Sequence, residues 1–167
     1  MIDIVTTLKH RARMLQRQAE RGDPAALQRL QSLPEAPSDG PKRRHCLSAV
    51  AREYGFDGWS HLTRVLDGAH EGDFGTLLYG PGCTAHYNIW SASYEEARAI
   101  REEHGGYLLP YKRQFLIVDR HFIETLGLDP EDPDFSLSGR DWVKTRDAEA
   151  RRRLYAKLIA ARSTGNA

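Results

Sequence analysis

Apolar residues near the start of the chain recur every three or four positions, the spacing of a helix with one buried face. Asp3 is placed to cap such a helix and Gly22 to end it, so the pattern predicts a helix over about residues 4–21. The positions expected to face inward are Ile4, Leu8, Leu15 and Ala19.

Three more helices are predicted before residue 68. Asp23 followed by Pro24 is typical of a helix start, and Pro34 stops the helix that follows. Residues 43–67 then predict a helix, a tight turn at Gly55 and a second helix, because apolar positions again follow the helical period on both sides of the turn.

After residue 69 the pattern changes to short apolar runs separated by turn residues and by helical segments. We expect short strands at Tyr87–Trp90 and Phe115–Val118. Helices are expected over about residues 94–104, 120–126 and 148–161, with Arg151, Arg152 and Arg153 mainly outward. The acidic, proline-containing segment 128–142 is expected to form a loop.

Together these elements predict an α+β protein in two parts. Residues 1–68 would form a four-helix module of αα units, partly like a helix-turn-helix. Residues 69–167 would form a small α/β sandwich, with a few strands and helices on one face.

The helical module carries a recognisable set of residues: Ala51, the turn Tyr54-Gly55-Phe56, Trp59 and Leu62. In these it resembles a short helical segment found at the start of many uncharacterised bacterial proteins, often ahead of ankyrin repeats or a glyoxalase-like domain. The resemblance covers about 60 residues and implies an all-helical fold. It implies no activity and no catalytic residues, and it does not extend to the second part.

Composition narrows the class of protein. Hydrophobic residues make up 40% of the chain, enough for a buried core, and no stretch has the roughly 20 consecutive apolar residues of a membrane span. The first 16 residues lack the apolar core of a signal peptide, so we expect a cytoplasmic protein with no membrane partner. Cys46 and Cys83 lie in unrelated contexts and are expected to be free thiols.

The net charge of +1 conceals an uneven distribution. Residues 1–45 hold nine basic against five acidic residues, 69–135 hold five against twelve, and 136–167 hold eight against three. Basic ends could contact an anionic partner, or they could be solvated helix faces or fold against the acidic middle. A protein partner or a small anionic ligand is therefore possible. Nucleic acid is possible but not favoured, since the second helix of the turn at Gly55 offers only Arg64 as a clear phosphate contact.

A first candidate for catalysis is Cys83 on the turn Gly80-Pro81-Gly82. Backbone N–H groups on such a turn could lower the pKa of the thiol, and His86 or His121 could act as base. The alternative is a small buried cysteine with an unrelated histidine. Cys83 and His86 also have the spacing of half a zinc site, but no second pair of ligands is evident, so no metal site is expected.

A second candidate is a group of cationic and aromatic residues that could hold an anionic or planar ligand, or could equally be surface ion pairs and half-buried tyrosines. Its ligand-binding members are Tyr107, Tyr111, Lys112, Arg113, Arg140 and Trp142, with Asp119, His121 and Asp141 nearby.

The sequence lacks the signatures of P-loops, dinucleotide-binding turns, zincins and esterase nucleophile elbows, which disfavours those activities. Two hypotheses remain. The first is a binding or regulatory protein acting through its helical module and a pocket in the α+β domain. The second is a small enzyme that uses Cys83. Neither indicates a cofactor, and the sequence leaves the oligomeric state open.

Overall fold

The computed structural model describes residues 3–164. It contains two compact units that divide between Arg64 and Val65. The helix Trp59–Leu66 crosses this observed boundary. The boundary predicted after residue 68 lies just beyond the end of that helix.

The first unit is helical, as predicted. Its helices are α1 (Ile4–Glu20), α2 (Pro24–Gln31), α3 (Arg43–Glu53) and α4 (Trp59–Leu66). The two aspartates expected as caps fulfil that role: Asp3 accepts a hydrogen bond from the Thr6 amide at 3.3 Å, and Asp23 accepts one from the Ala25 amide at 2.9 Å.

One face of α1 forms much of the core of this unit by packing against α2 and α3. All four predicted inward positions of α1 are buried, together with Ala12. The outer face of the same helix is mainly polar and basic, with Met14 as an exposed apolar residue, so α1 is amphipathic because its sequence has the helical period. The apolar contributions of the other helices include Leu30, Cys46, Val50 and Ala51.

The second unit combines a three-stranded sheet with helices. Its strands are β1 (Ile89–Ser91), β2 (Tyr107–Tyr111) and β3 (Gln114–Val118), arranged in the order β1-β3-β2 with antiparallel pairing throughout. Its helices are α5 (Tyr94–His104), α6 (Arg120–Thr125), α7 (Pro133–Leu137) and α8 (Ala148–Thr164). The predicted α+β class is confirmed.

The register of the sheet assigns its side chains to two faces. Ile89 lies opposite Ile117, and Ile117 lies opposite Leu108, so these three share one face. Helix α5 contacts all three strands, and its Tyr94 ring meets the Phe115 ring edge-on at 5.9 Å on that same face. The packing of α5 therefore fixes the position of its N-terminal half relative to the sheet.

Three local predictions need correction. The first strand spans Ile89–Ser91 rather than Tyr87–Trp90, and the Tyr87 side chain is 99% exposed. The segment predicted as an acidic loop contains α7, because Pro133 occupies the first turn of this helix, where its missing N–H costs nothing, and Asp132 caps it. Arg151 is buried rather than outward.

The burial of Arg151 follows from its position on α8. It lies three and seven residues before Leu154 and Leu158, on the face of the helix that packs inward. Its guanidinium donates hydrogen bonds to the carbonyl oxygens of Trp142 at 3.2 Å and Val143 at 3.0 Å. The cation therefore ties α8 to the segment before it instead of facing solvent. No helix within residues 3–164 combines the length and the apolar character required to cross a membrane.

Candidate functional site

A cleft of about 210 Å³ lies in the second unit, between α5 and the loop of residues 138–146. We call it the basic cleft because four of its lining side chains are cationic. Its lining residues are Tyr94, Arg98, Arg101, Glu102, Ser138, Gly139, Asp141, Lys144 and Arg146.

Backbone pairing with β2 holds the loop of the basic cleft in place. The Leu108 amide donates to the Arg140 carbonyl at 2.9 Å, and the Trp142 amide donates to the Leu108 carbonyl at 3.0 Å. The chain reaches this position through left-handed conformations at Gly139 (φ 73°) and Arg140 (φ 54°). A Cβ atom on Gly139 would lie 3.0 Å from Cδ of Arg146, so the absent side chain allows Arg146 to lie against the backbone there.

Asp141 organises one wall of the basic cleft. It is 5% exposed, and its Oδ1 accepts hydrogen bonds from the amides of Val143 at 2.8 Å and Lys144 at 2.9 Å. Its Oδ2 accepts a hydrogen bond from the Tyr94 hydroxyl. Burial, and then the carboxylate of Asp141, raise the pKa of Tyr94 well above its usual range, so the phenol stays protonated and donating.

The cationic side chains of the cleft differ in their partners. Arg98 donates from Nε to Glu102 at 2.9 Å. The Lys144 ammonium lies 4.4 Å from the centre of the Tyr94 ring and 3.7 Å from the exposed carboxylate of Glu95.

Arg101 and Arg146 have no acidic partner within residues 3–164, and Nε of Arg101 is buried without a hydrogen bond. Four cations line the cleft against two carboxylates, Glu102 and Asp141, so the cleft has a surplus of positive charge and unused N–H donors. Such a site can hold an anion.

Two predicted ligand-binding residues are instead packed in the interior near the cleft. Tyr107 is 4% exposed and donates from its hydroxyl to the Pro130 carbonyl at 3.1 Å. Trp142 is 2% exposed and stacks on Tyr155 with ring centres 5.2 Å apart. The exposed Arg140 guanidinium lies over the Tyr107 ring at 5.1 Å. Neither Trp142 nor Tyr107 lines the basic cleft; of the group predicted here, the cleft contains Asp141.

Tyr111, Lys112 and Arg113 lie at the hairpin between β2 and β3 and do not line the basic cleft. Lys112 adopts a left-handed conformation (φ 51°) in this tight turn, and its ammonium lies 5.6 Å from the centre of the Tyr111 ring. Tyr111 also contacts the rings of Tyr79 at 5.2 Å and Trp90 at 5.6 Å. The structure thus divides the predicted ligand-binding group among separate places.

Cys83 begins a single 3₁₀ turn, Cys83–Ala85, and its side chain is fully buried. Burial raises the pKa of its thiol, although the Gly80 backbone and the Arg162 guanidinium act in the opposite direction. His86 is half-buried and its Nε2 bonds to the Thr125 hydroxyl at 2.7 Å. These surroundings are typical of a packed structural cysteine and give no support to a reactive thiolate.

His121, the other predicted base, is an exposed residue of α6, and its Nδ1 lies 3.1 Å from the Glu124 carboxylate. Asp119 caps the same helix by accepting from the Phe122 amide at 3.0 Å. Within residues 3–164, no three His, Cys, Asp or Glu side chains are grouped to hold a metal ion.

Most of the basic cleft is absent from the site residues predicted from the sequence. The missed residues include Arg98, Arg101, Glu102, Lys144 and Arg146. One signal was available: Arg98 and Arg101 are three residues apart and so share a helix face, as do Arg98 and Glu102. Which loop faces those arginines could not be read from spacing.

Comparisons of the chain with protein-family models, with curated proteins and with solved structures find no match. The resemblance of the helical module to segments ahead of ankyrin repeats or glyoxalase-like domains therefore stays a prediction. The arrangement of residues in the structure is the basis for a functional proposal.

Proposed function

We propose that this chain is a binding protein whose second unit takes up a small anionic ligand in the basic cleft. The observation that carries the proposal is the state of Arg101 and Arg146: both guanidinium groups line the cleft and neither has an acidic partner among residues 3–164. A planar guanidinium binds carboxylate or phosphate through paired N–H donors, so two of them in one cleft favour such an anion.

The size and the wall of the cleft support the same class of ligand. Its volume of about 210 Å³ is smaller than that of sites for drug-sized molecules, which begin at about 300 Å³. The Tyr94–Asp141 pair fixes one wall, since the carboxylate accepts hydrogen bonds from three donors of that wall. A small phosphorylated or multiply carboxylated molecule fits these limits better than an extended ligand.

Titration calorimetry of the full chain with inorganic phosphate, sulfate and citrate, at low ionic strength, tests this proposal. We expect binding of at least one of these anions. Arg101→Gln and Arg146→Gln should each weaken it about 10-fold, the effect of losing one charged hydrogen bond of roughly 1.5 kcal/mol. Each substitution replaces one guanidinium by a shorter, neutral amide side chain.

The matched control is Arg120→Gln, which removes the same charge from an exposed residue of α6 that already has Glu124 and Glu131 as partners at 3.7 and 3.6 Å. It should leave anion affinity unchanged. Absence of binding by all three anions, or equal weakening by Arg101→Gln and Arg120→Gln, would exclude the basic cleft as the site.

The alternative, an enzyme that uses Cys83, has no supporting contact in the structure. We infer a second binding surface on the helical module.

A further inference from the structure

Helix α1 carries a row of cations on its outer face. Lys9, Arg13, Arg17 and Arg21 follow one another at four-residue intervals, and all four are exposed. Arg21 is the residue that caps the helix. Because residues four apart on a helix are neighbours offset by about 40°, these side chains form one continuous stripe that winds about 120° around the helix, which we call the α1 stripe.

Among residues 3–164, no other side chain pairs with the cations of the α1 stripe. None of its four cations has an ion pair or a side-chain hydrogen bond with another residue of the described chain, positions 3–164. The only acidic residue within α1 is Glu20, whose carboxylate accepts from the Gln16 amide group at 2.9 Å. Unlike the stripe, Arg11 on the same helix points to Tyr54 and is half-buried.

Such an arrangement is unfavourable for an isolated helix. Three successive like-charge pairs at four-residue spacing each cost a few tenths of a kcal/mol. The negative end of the helix dipole offsets this for Arg17 and Arg21, which lie in or beside the last turn, but not for Lys9 and Arg13. A polyanion bound along the stripe would supply the missing countercharge.

We propose that the α1 stripe is a docking surface for a nucleic-acid backbone, bound without sequence preference. At 1.5 Å per residue the stripe extends about 18 Å along the helix axis, which matches about five base pairs of duplex DNA. Protein interfaces are built around buried aromatic and aliphatic anchors. None of the four stripe residues is such an anchor. The large apolar residues exposed on α1 and α2 are Met14 and Leu27, whose exposed fractions are 40% and 37%. Charge complementarity alone is the expected mode of backbone binding.

The test is fluorescence anisotropy of a labelled random-sequence duplex of about 20 base pairs, titrated with the full chain at several salt concentrations. Four phosphate contacts predict a slope of log K against log salt of about −3.6, which is a loss of about 150-fold in affinity between about 50 and 200 mM salt. Phosphatidylserine vesicles are tested in parallel as the competing anionic surface.

The decisive variant is Arg13→Gln with Arg17→Gln, which should reduce the magnitude of the slope by about 1.8. Its matched control is Arg120→Gln with Arg152→Gln, which makes the same change in net charge at exposed sites of the second unit and should leave the slope unchanged. Circular dichroism confirms that both variants are folded.

Three outcomes would overturn the proposal: no DNA binding at about 50 mM salt, equal slopes for the two double variants, or binding to the vesicles with none to DNA. Because the basic cleft lies in the other unit, failure of this experiment would leave the anion-binding proposal unaffected, and the reverse also holds.

Discussion

Replacing Asp134 by Asn should destabilise the second unit in a way that depends on pH. Asp134 is 4% exposed, and its carboxylate accepts hydrogen bonds from Arg153 at 2.6 and 3.0 Å and from Lys157 at 2.7 Å. These contacts join α7 to α8. Asparagine keeps the size of the side chain but removes the charge that both cations face.

The size of the effect follows from the difference between charged and neutral hydrogen bonds. A hydrogen bond to a charged group contributes about 1.5–3 kcal/mol and a neutral one about 0.5–1.5 kcal/mol, so loss of the charge costs roughly 1 kcal/mol for each cation. The Arg153 and Lys157 side chains are 30% and 44% exposed and can turn to water, which reduces the sum. We expect a loss of about 1.5 kcal/mol in the free energy of unfolding at neutral pH.

The hydrogen bonds from Arg153, and then the one from Lys157, lower the pKa of Asp134 in the folded protein, with burial opposing them. A folded-state pKa below the unfolded value of about 3.9 means that the carboxylate stabilises the fold above that pH. Its contribution is lost as the pH falls through the folded-state pKa. The difference between wild type and Asp134→Asn should therefore shrink below about pH 4.

Urea unfolding followed by circular dichroism measures this difference. With a slope of about 2 kcal/mol per molar, the midpoint for Asp134→Asn should fall by about 0.75 M at neutral pH. Glu131→Gln serves as control, because it removes the same charge from a side chain that is 76% exposed and 3.6 Å from Arg120, and its midpoint should barely change. An Asp134→Asn deficit that persists unchanged at the lowest pH would refute the assignment to charge.

Two other outcomes can be checked simply. Gly106→Ala should lower the melting temperature, because Gly106 has φ 92° and a Cβ there would lie 2.6 Å from the Val118 carbonyl oxygen. Gly40 has a similar φ of 87° but open space around it. A smaller loss for Gly40→Ala therefore separates the effect of the clash from that of the backbone strain. Cys83 should resist iodoacetamide in the native protein at about pH 8.5 and react after unfolding, because its thiol is buried and the pKa of the thiol is raised. Rapid labelling of Cys83 in the native protein near pH 7 would contradict this prediction.

The helices were largely predictable because their signals are local. Asp3 and Asp23 cap the helices that follow them, and the buried positions of α1 are those given by the helical period. The same reasoning failed at α7, where two prolines indicated a loop although Pro133 is compatible with the first turn of a helix. It also failed at Arg151, because this buried cation donates to carbonyl groups of the segment before α8, a contact that no local pattern indicates.

The candidate site was far less predictable. Tyr107 and Trp142 carried the chemistry expected of a ligand pocket, yet they are packed in the interior, and Lys112 lies at the hairpin outside the cleft. Residue type indicates what a side chain could bind. It does not indicate whether that side chain faces a cleft or the core.

By itself, the sequence determined the helical first part, the α+β character of the second and the basic surplus of residues 136–167, since periodicity, caps and charge are properties of short segments. Tertiary structure alone decided that α5 and the 138–146 loop form one cleft. That juxtaposition depends on Leu108 pairing with the backbone of residues 140–142, a long-range contact encoded in no single segment. In that cleft Arg101 and Arg146 have no acidic partner within residues 3–164, and the proposed function depends on this feature.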